Sequence, residues 1–298
     1  MTKTIMLSLL AAVAAPIGIY AVAQRQAQTL APAEIAEAAP ASDWRDIPAR
    51  DLLLMDVAGG GRVVIQLAPD FAPVHVANIR KLAGQRWWDG TSINRVQDNY
   101  VVQWGDPTEK KPLPANVVAA PPSEYVRDQA GLDPAWIAWP DPYAKRTGFL
   151  NGWPVGGDGN GKIWLAHCYA MVGVGRNMAP DTGSGAELYA VIGQAPRHLD
   201  RNIALVGRVI EGMEFLASRP RGTAAMGFYD DPKQRIAITS IKPMTEADPG
   251  ARSDFQYLSG SSFGDYEDAR ANRRDPFFNV PAGGADVCNI PVPIRRKV

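Results

Sequence analysis

Cysteine and histidine are scarce in this chain. Two cysteines, Cys168 and Cys288, and three histidines, His75, His167 and His198, are spread over 298 residues. Two thiols are too few for a zinc site of the thiolate type, and no histidine has a paired carboxylate at metal-ligand spacing. The sequence therefore implies neither a metal nor any other cofactor. Charge of one sign is lacking as well, because Lys and Arg together number 31, as do Asp and Glu. A neutral chain without a basic block offers no electrostatic footprint for nucleic acid. Two catalytic signatures fail on spacing. The glycine run from Gly156 to Gly161 ends in Lys162, but it is not G-x-x-x-x-G-K-[ST] and lacks the strand and helix that frame a phosphate loop. Gly183-Ser184-Gly185 is not the G-x-S-x-G elbow of a nucleophilic serine. No internal repeat is present.

What is present points to a globular β-rich protein. A hydrophobic content of 46% supports a real core, and this length suits one large domain or two ordinary ones. Twenty-five prolines and 28 glycines call for many turns and short strands. Met1 to Ala23 has an early lysine, an apolar run and the ending Ala21-Val22-Ala23. This is the pattern of a secretory signal peptide cleaved near Ala23, and it implies an exported, periplasmic protein. The alternative is an uncleaved anchor, since Ile5 to Ala23 is just long enough to span a bilayer. Membrane contact is expected only through such an uncleaved leader. In an oxidising compartment Cys168 and Cys288 either form a disulfide, closing a loop of about 120 residues, or stay as two buried thiols.

Residues 24–43 are rich in Ala, Pro, Glu and Gln and read as a flexible linker. The domain is expected over residues 44–244. Leu52 to Val57 and Arg62 to Leu67 form a hairpin around Ala58-Gly59-Gly60-Gly61. Pro73 opens a helix in which Val76, Ile79, Leu82 and Ala83 keep helical spacing and Gly84 ends it; His75, in its first turn, is expected to be partly exposed. Ser92 to Val96 and Tyr100 to Asp106 are two further strands. Residues 107–164, broken by proline and glycine, read as a long loop insertion with its own small aromatic cluster of Trp136, Trp139 and Trp153. Strands resume at Ala166 to Val172, Glu187 to Gly193, Ile203 to Val209 and Ile236 to Ile241, with a short helical turn at Gly212 to Ala217. Residues 245–298 form a C-terminal extension that wraps the domain or is partly disordered.

This order suggests a closed antiparallel barrel with helices covering its ends. The motifs it carries resemble those of the cyclophilin-type peptidyl-prolyl cis-trans isomerases. Val63-Val64-Ile65-Gln66-Leu67 with Ala72-Pro73 and Val76-Ala77-Asn78-Ile79 is similar to that family's strand and first helix. Ile93-Asn94-Arg95-Val96 and Val102-Gln103-Trp104-Gly105-Asp106 resemble F-H-R-[VI] and Q-G-G-D. Ala170-Met171-Val172 resembles S-M-A, and Glu187-Leu188-Tyr189 stands where the family has Q-F-F. Leu199-Asp200, Val206-Gly207-Arg208-Val209 and Glu211-Gly212-Met213 complete the series in the correct order. The resemblance covers about Leu52 to Pro243. It implies a mainly β fold, a closed eight-stranded antiparallel β-barrel capped by two helices, and isomerisation of X-Pro bonds in proline-containing polypeptide clients.

The resemblance also implies roles for single residues. Arg95 matches the catalytic arginine and Gln103 the glutamine beside it. Tyr100 and Val101 match a phenylalanine and a methionine of the proline pocket, Tyr189 a second pocket phenylalanine, and Leu199 a pocket leucine. Met171 lies on the matching strand, and Gly173 falls where an asparagine backbone meets substrate. Several positions depart from the pattern: Asn94 replaces the histidine before the arginine, Glu187 a glutamine, His198 a frequent pocket tryptophan and Ile203 a second pocket histidine, and Tyr100 and Tyr189 add hydroxyls to a pocket that is usually all phenylalanine. Glu187 is placed to form an ion pair with Arg95. That pair would weaken the donor. The alternative function is a non-catalytic proline-peptide binding or chaperone module of the cell envelope, with the insertion and the C-terminal extension as its partner surface.

Overall fold

The computed structural model describes residues 29–297. The leader read over residues 1–23 and the first residues of the linker lie outside the described residues. In chain order the helices are α1 (Pro32–Ala38), α2 (Pro73–Gly84), α3 (Glu214–Ala217) and α4 (Gly260–Ala271). The strands are β1 (Trp44–Ile47), β2 (Leu52–Val57), β3 (Gly61–Leu67), β4 (Ser92–Val96), β5 (Val101–Gly105), β6 (Arg127–Asp128), β7 (Ala135–Trp136) and β8 (Arg146–Leu150). They continue as β9 (Trp153–Gly157), β10 (Lys162–Leu165), β11 (Met171–Val174), β12 (Leu188–Val191), β13 (Leu205–Glu211), β14 (Ile236–Pro243), β15 (Phe255–Leu258) and β16 (Ile294–Arg296).

Eight strands close a mainly β, antiparallel barrel in the order β11-β12-β5-β4-β14-β2-β3-β13, with β13 pairing back to β11. The hairpin of β2 and β3 turns through Gly59 and Gly60, whose φ angles of +88° and +87° suit glycine. Strand β2 has no polar alternation because it is covered on both faces. Leu53, Met55 and Val57 point into the barrel core, while Leu52 and Leu54 pack outside against Ile47, Met244 and Phe255. Helix α2 closes the barrel with Val76, Ile79, Leu82 and Ala83, and each large apolar side chain buried this way contributes about 1.5–3 kcal/mol. Trp88 is fully buried behind α2 and donates its indole N–H to the Ala186 carbonyl at 2.8 Å.

Two segments differ from the sequence expectation, and the extension takes one of its two expected forms. Within the insertion, residues 127–165 form a five-stranded sheet in the order β6-β10-β9-β8-β7 instead of a loop. Its tryptophans do not make a separate cluster: Trp153, with Phe149, Ile163 and Leu165, shares one core with Val101, Met171 and Val191 on the outside of the barrel and with Phe263 and Tyr266 of α4, and Trp136 and Trp139 pack against it. The linker is not wholly flexible, because residues 32–38 form α1, whose first turn is closed by the Ala31 N–H donating to Glu34 Oε2 at 2.6 Å. So short a helix is marginal alone; packing against α4 holds it. The extension places β15 between β1 and β16.

Covalent and polar ties join the added segments to the barrel. Cys168 and Cys288 form a disulfide, which links the approach to β11 to the extension. His75 is fully buried, not partly exposed. The Glu124 carboxylate accepts the backbone N–H groups of Val74 and His75 at 2.8 and 3.0 Å and meets His75 Nδ1 at 2.6 Å. A carboxylate from the insertion thus caps the first turn of α2, where helix N–H groups lack partners.

Candidate active site

Strand register brings the expected site residues into one row on the outer barrel face. Arg95 of β4 stands opposite Gln103 of β5, Gln103 opposite Tyr189 of β12, and Tyr189 opposite Gly173 of β11. Residues paired directly across antiparallel strands project to the same face, so Arg95, Gln103 and Tyr189 share it. Gly173 shares it without a side chain. A Cβ there would lie 2.3 Å from the Tyr189 ring and hydroxyl, so the missing side chain is what lets the ring lie across the strand.

Arg95 is half-buried and held on three sides. Its Nε–H donates to the Met226 carbonyl at 2.7 Å, one terminal nitrogen donates to Gln103 Oε1 at 3.1 Å and the other to Gln97 Oε1. The guanidinium also lies 5.7 Å from the Tyr100 ring centroid and 5.4 Å from that of Phe228. Burial lowers it from its ordinary value, and Tyr100 and Tyr189 partly oppose that; an arginine nevertheless stays protonated. A guanidinium carries five N–H donors, so three fixed bonds leave one N–H free on each terminal nitrogen.

Glu187 does not take the guanidinium. Among the described residues Arg95 has no carboxylate partner. The Glu187 carboxyl instead lies against Gly105, where a Cβ would come within 1.9 Å of Oε1, and its Cβ lies against Gly175. Burial pushes it up to about 7, opposed by the Asp106 backbone N–H and the Gln103 amide.

The row opens onto a groove of about 600 Å³ lined by Arg95, Tyr100, Val101, Gln103, Glu187, Tyr189, Leu199 and Ile203, all anticipated from the sequence. Asn94, which replaces the histidine of the motif, lines it too. Three expected contacts sit elsewhere. Met171 is 2% exposed and packs behind the groove with Tyr189 and Leu205. Gly173 lies beneath the Tyr189 ring. His198 is exposed outside the groove, stacked on Tyr100 at 5.7 Å with Nε2 3.1 Å from its hydroxyl. The sequence reading missed Met226, Phe228 and Gln97. Phe228 pairs with Arg95 through an isolated bridge, and its segment has no alternation; the only local signal is Met226-Gly227-Phe228-Tyr229, an apolar run broken by glycine.

No group of three or more His, Cys, Asp or Glu side chains is arranged to hold a metal ion among the described residues. No helix among them is long and apolar enough to cross a membrane.

Comparison with known proteins converges on one family. The model of the cyclophilin type peptidyl-prolyl cis-trans isomerase/CLD family matches residues 52–243. A probable peptidyl-prolyl cis-trans isomerase of Brucella suis is 24% identical over 187 residues, covering 60% of this chain and 77% of the relative. A protein of the same description from Brucella abortus is 23% identical over the same shares. Among solved structures, cyclophilin AquaCyp293 from Hirschia baltica aligns over 86% of this chain and 94% of its own, with 25% identity and a TM-score of 0.65. The chain belongs to the cyclophilin-type peptidyl-prolyl cis-trans isomerases.

Proposed function

We propose that Arg95 is the hydrogen-bond donor of the isomerisation and that Tyr100, Val101, Tyr189, Leu199 and Ile203 receive the proline ring of the substrate. The observation that carries this reading is a half-buried cation without a carboxylate partner among the described residues, keeping free N–H groups in a groove with those apolar side chains. An X-Pro amide resists rotation by about 18–20 kcal/mol because nitrogen shares its lone pair with the carbonyl. As the bond twists, nitrogen becomes pyramidal and recovers that lone pair. A guanidinium N–H aimed at it makes a bond that exists mainly in the transition state, and such selective binding accelerates the step. The Gln103, Gln97 and Met226 oxygens hold the guanidinium in place, so no reorganisation is required as the charge develops. No proton is transferred and no covalent bond breaks.

A charge-assisted hydrogen bond contributes about 1.5–3 kcal/mol, so Arg95→Ala is expected to lower kcat/KM for an Ala-Pro peptide about 10- to 150-fold. A protease-coupled assay measures this, and equal rates for the two proteins would remove the catalytic claim. An ion pair with Glu187 would weaken the donor and favour binding without turnover, and Glu187 lies against Gly105 instead.

The clients are proline-containing segments of exported proteins, and the site of action is the periplasm. The Met1 to Ala23 pattern supports export, and the Cys168–Cys288 disulfide suits an oxidising compartment. Mass spectrometry of the protein recovered from the periplasm should find Gln24 at its start; retention of Met1 in the membrane fraction would instead mark an anchored form.

A further inference from the structure

Behind the groove lies a chain of buried polar groups that the proposed chemistry does not use. Tyr189 Oη is 2.9 Å from His167 Nε2, and His167 Nδ1 is 2.9 Å from Asp200 Oδ1. Asp200 Oδ1 also accepts the His167 backbone N–H, and Oδ2 accepts from Arg197 Nε at 3.1 Å. Arg197 continues to Asp141 of the insertion at 2.8 and 3.0 Å and to Asp286 of the extension at 3.2 Å. His167, Asp200 and Arg197 are all buried. The disulfide partner Cys168 follows His167 directly, which fixes the same corner to the extension.

Counting donors and acceptors assigns the protons. Asp200 faces the Arg197 guanidinium and the His167 backbone N–H, so as a carboxylate it only accepts; His167 Nδ1 therefore carries the proton. Nε2 is left with a lone pair, and the Tyr189 hydroxyl donates to it. Burial holds the imidazole below its ordinary value, against the opposing pull of Asp200, which keeps Nε2 available as an acceptor. The two rings are nearly parallel, 14° apart at 6.3 Å between centroids. A phenylalanine at position 189 would need none of this; a tyrosine without it would bury an unpaired hydroxyl.

We propose that His167 is a positioning residue: acting through the Tyr189 hydroxyl, it fixes the tilt of the ring that walls the groove and so sets the size of the cyclic residue the site accepts. This rests on the proline-pocket reading above. Asp200 and Arg197 brace the imidazole, and through Asp141 and Asp286 the insertion and the extension become parts of the wall.

The test measures kcat/KM for two peptides, one with proline and one with its six-membered-ring homologue, in the wild type, Tyr189→Phe, His167→Leu and the double variant. In each single variant the preference for proline is expected to fall about three- to tenfold, the worth of one hydrogen bond, with no further fall in the double variant. A merely structural role would lower both rates in parallel, leave the ratio at its wild-type value and add in the double variant, and that result overturns the proposal. Should His167→Leu fail to fold, Tyr189→Phe decides alone, because it removes only the hydroxyl: an unchanged ratio overturns the proposal. Arg95→Ala, run alongside, separates the two readings. Loss of turnover there with an unchanged ratio in Tyr189→Phe rejects the His167 proposal and keeps the donor; wild-type rates in Arg95→Ala overturn the donor, while a fallen ratio in Tyr189→Phe still supports the His167 proposal.

Discussion

Replacing Glu187 by glutamine should change how stability depends on pH. The carboxyl is largely buried against Gly105 and Gly175, and burial raises it from 4.5 to about 7, with the Glu109 and Asp106 charges adding to the rise. The folded protein therefore keeps a proton that the unfolded chain has already released. This contribution to stability is complete below about pH 4.5 and is lost as pH climbs through about 7. The full shift is worth about 3 kcal/mol, and screening of the part that remains exposed brings it to roughly 2 kcal/mol. Glutamine stays neutral and has nearly the same volume, so the variant should lose none of it. Urea unfolding of both proteins at pH 5, 6, 7 and 8 measures the difference. The variant should gain on the wild type by about 2 kcal/mol between pH 5 and pH 8. A difference that stays flat across this range would refute the reasoning, since it would mean that Glu187 ionises in the fold as it does in water.

Three other perturbations test how the groove is supported. Cys288→Ser opens a loop of 120 residues, worth about 5 kcal/mol in the chain-entropy model; reductant should destabilise the wild type in thermal melts and leave the variant unchanged, and a wild type indifferent to reductant would contradict this. Glu124→Ala removes the acceptor for two backbone N–H groups and for His75, for an expected loss of about 2–4 kcal/mol. Hydrogen exchange should then accelerate in the first turn of α2, and an unchanged rate there would reject the capping role. Gly173→Ala sets a methyl against the Tyr189 ring and should lose about 1–3 kcal/mol in urea unfolding, together with a fall in kcat/KM. Wild-type values for both would show that the ring has room to move.

The sequence revealed the barrel where its strands obey ordinary rules. Val63, Ile65 and Leu67 share one face of β3, opposite Arg62, Val64 and Gln66, and the helix from Pro73 to Gly84 carries both its start and its stop. The inserted sheet was illegible because its strands invert the usual signal. Strands β8 and β9 include Gly148, Pro154, Gly156 and Gly157, residues depleted in sheets. They pair because tryptophans occupy the glycine faces: a Cβ on Gly156 would sit 2.6 Å from the Trp164 indole, and one on Gly157 2.8 Å from Trp136. At the site, Arg95, Gln103 and Tyr189 were legible through motif order, and their convergence follows from register. Phe228 and the Met226 carbonyl reach Arg95 from more than 130 residues away, across a segment without periodicity. His75 and His167 looked isolated because Glu124 and Asp200 lie 49 and 33 residues further along, a separation that only the fold closes.

The most direct test separates binding from turnover at Arg95. Two-dimensional NMR exchange on an Ala-Pro peptide, with chemical-shift titration of the same samples, gives the catalysed interconversion rate and the affinity together. If the guanidinium acts on the twisting nitrogen, Arg95→Ala should keep the peptide affinity within about threefold while the rate at saturation falls at least about tenfold. An equal loss of affinity with the saturated rate intact would place Arg95 in ground-state binding and contradict its role as the transition-state donor.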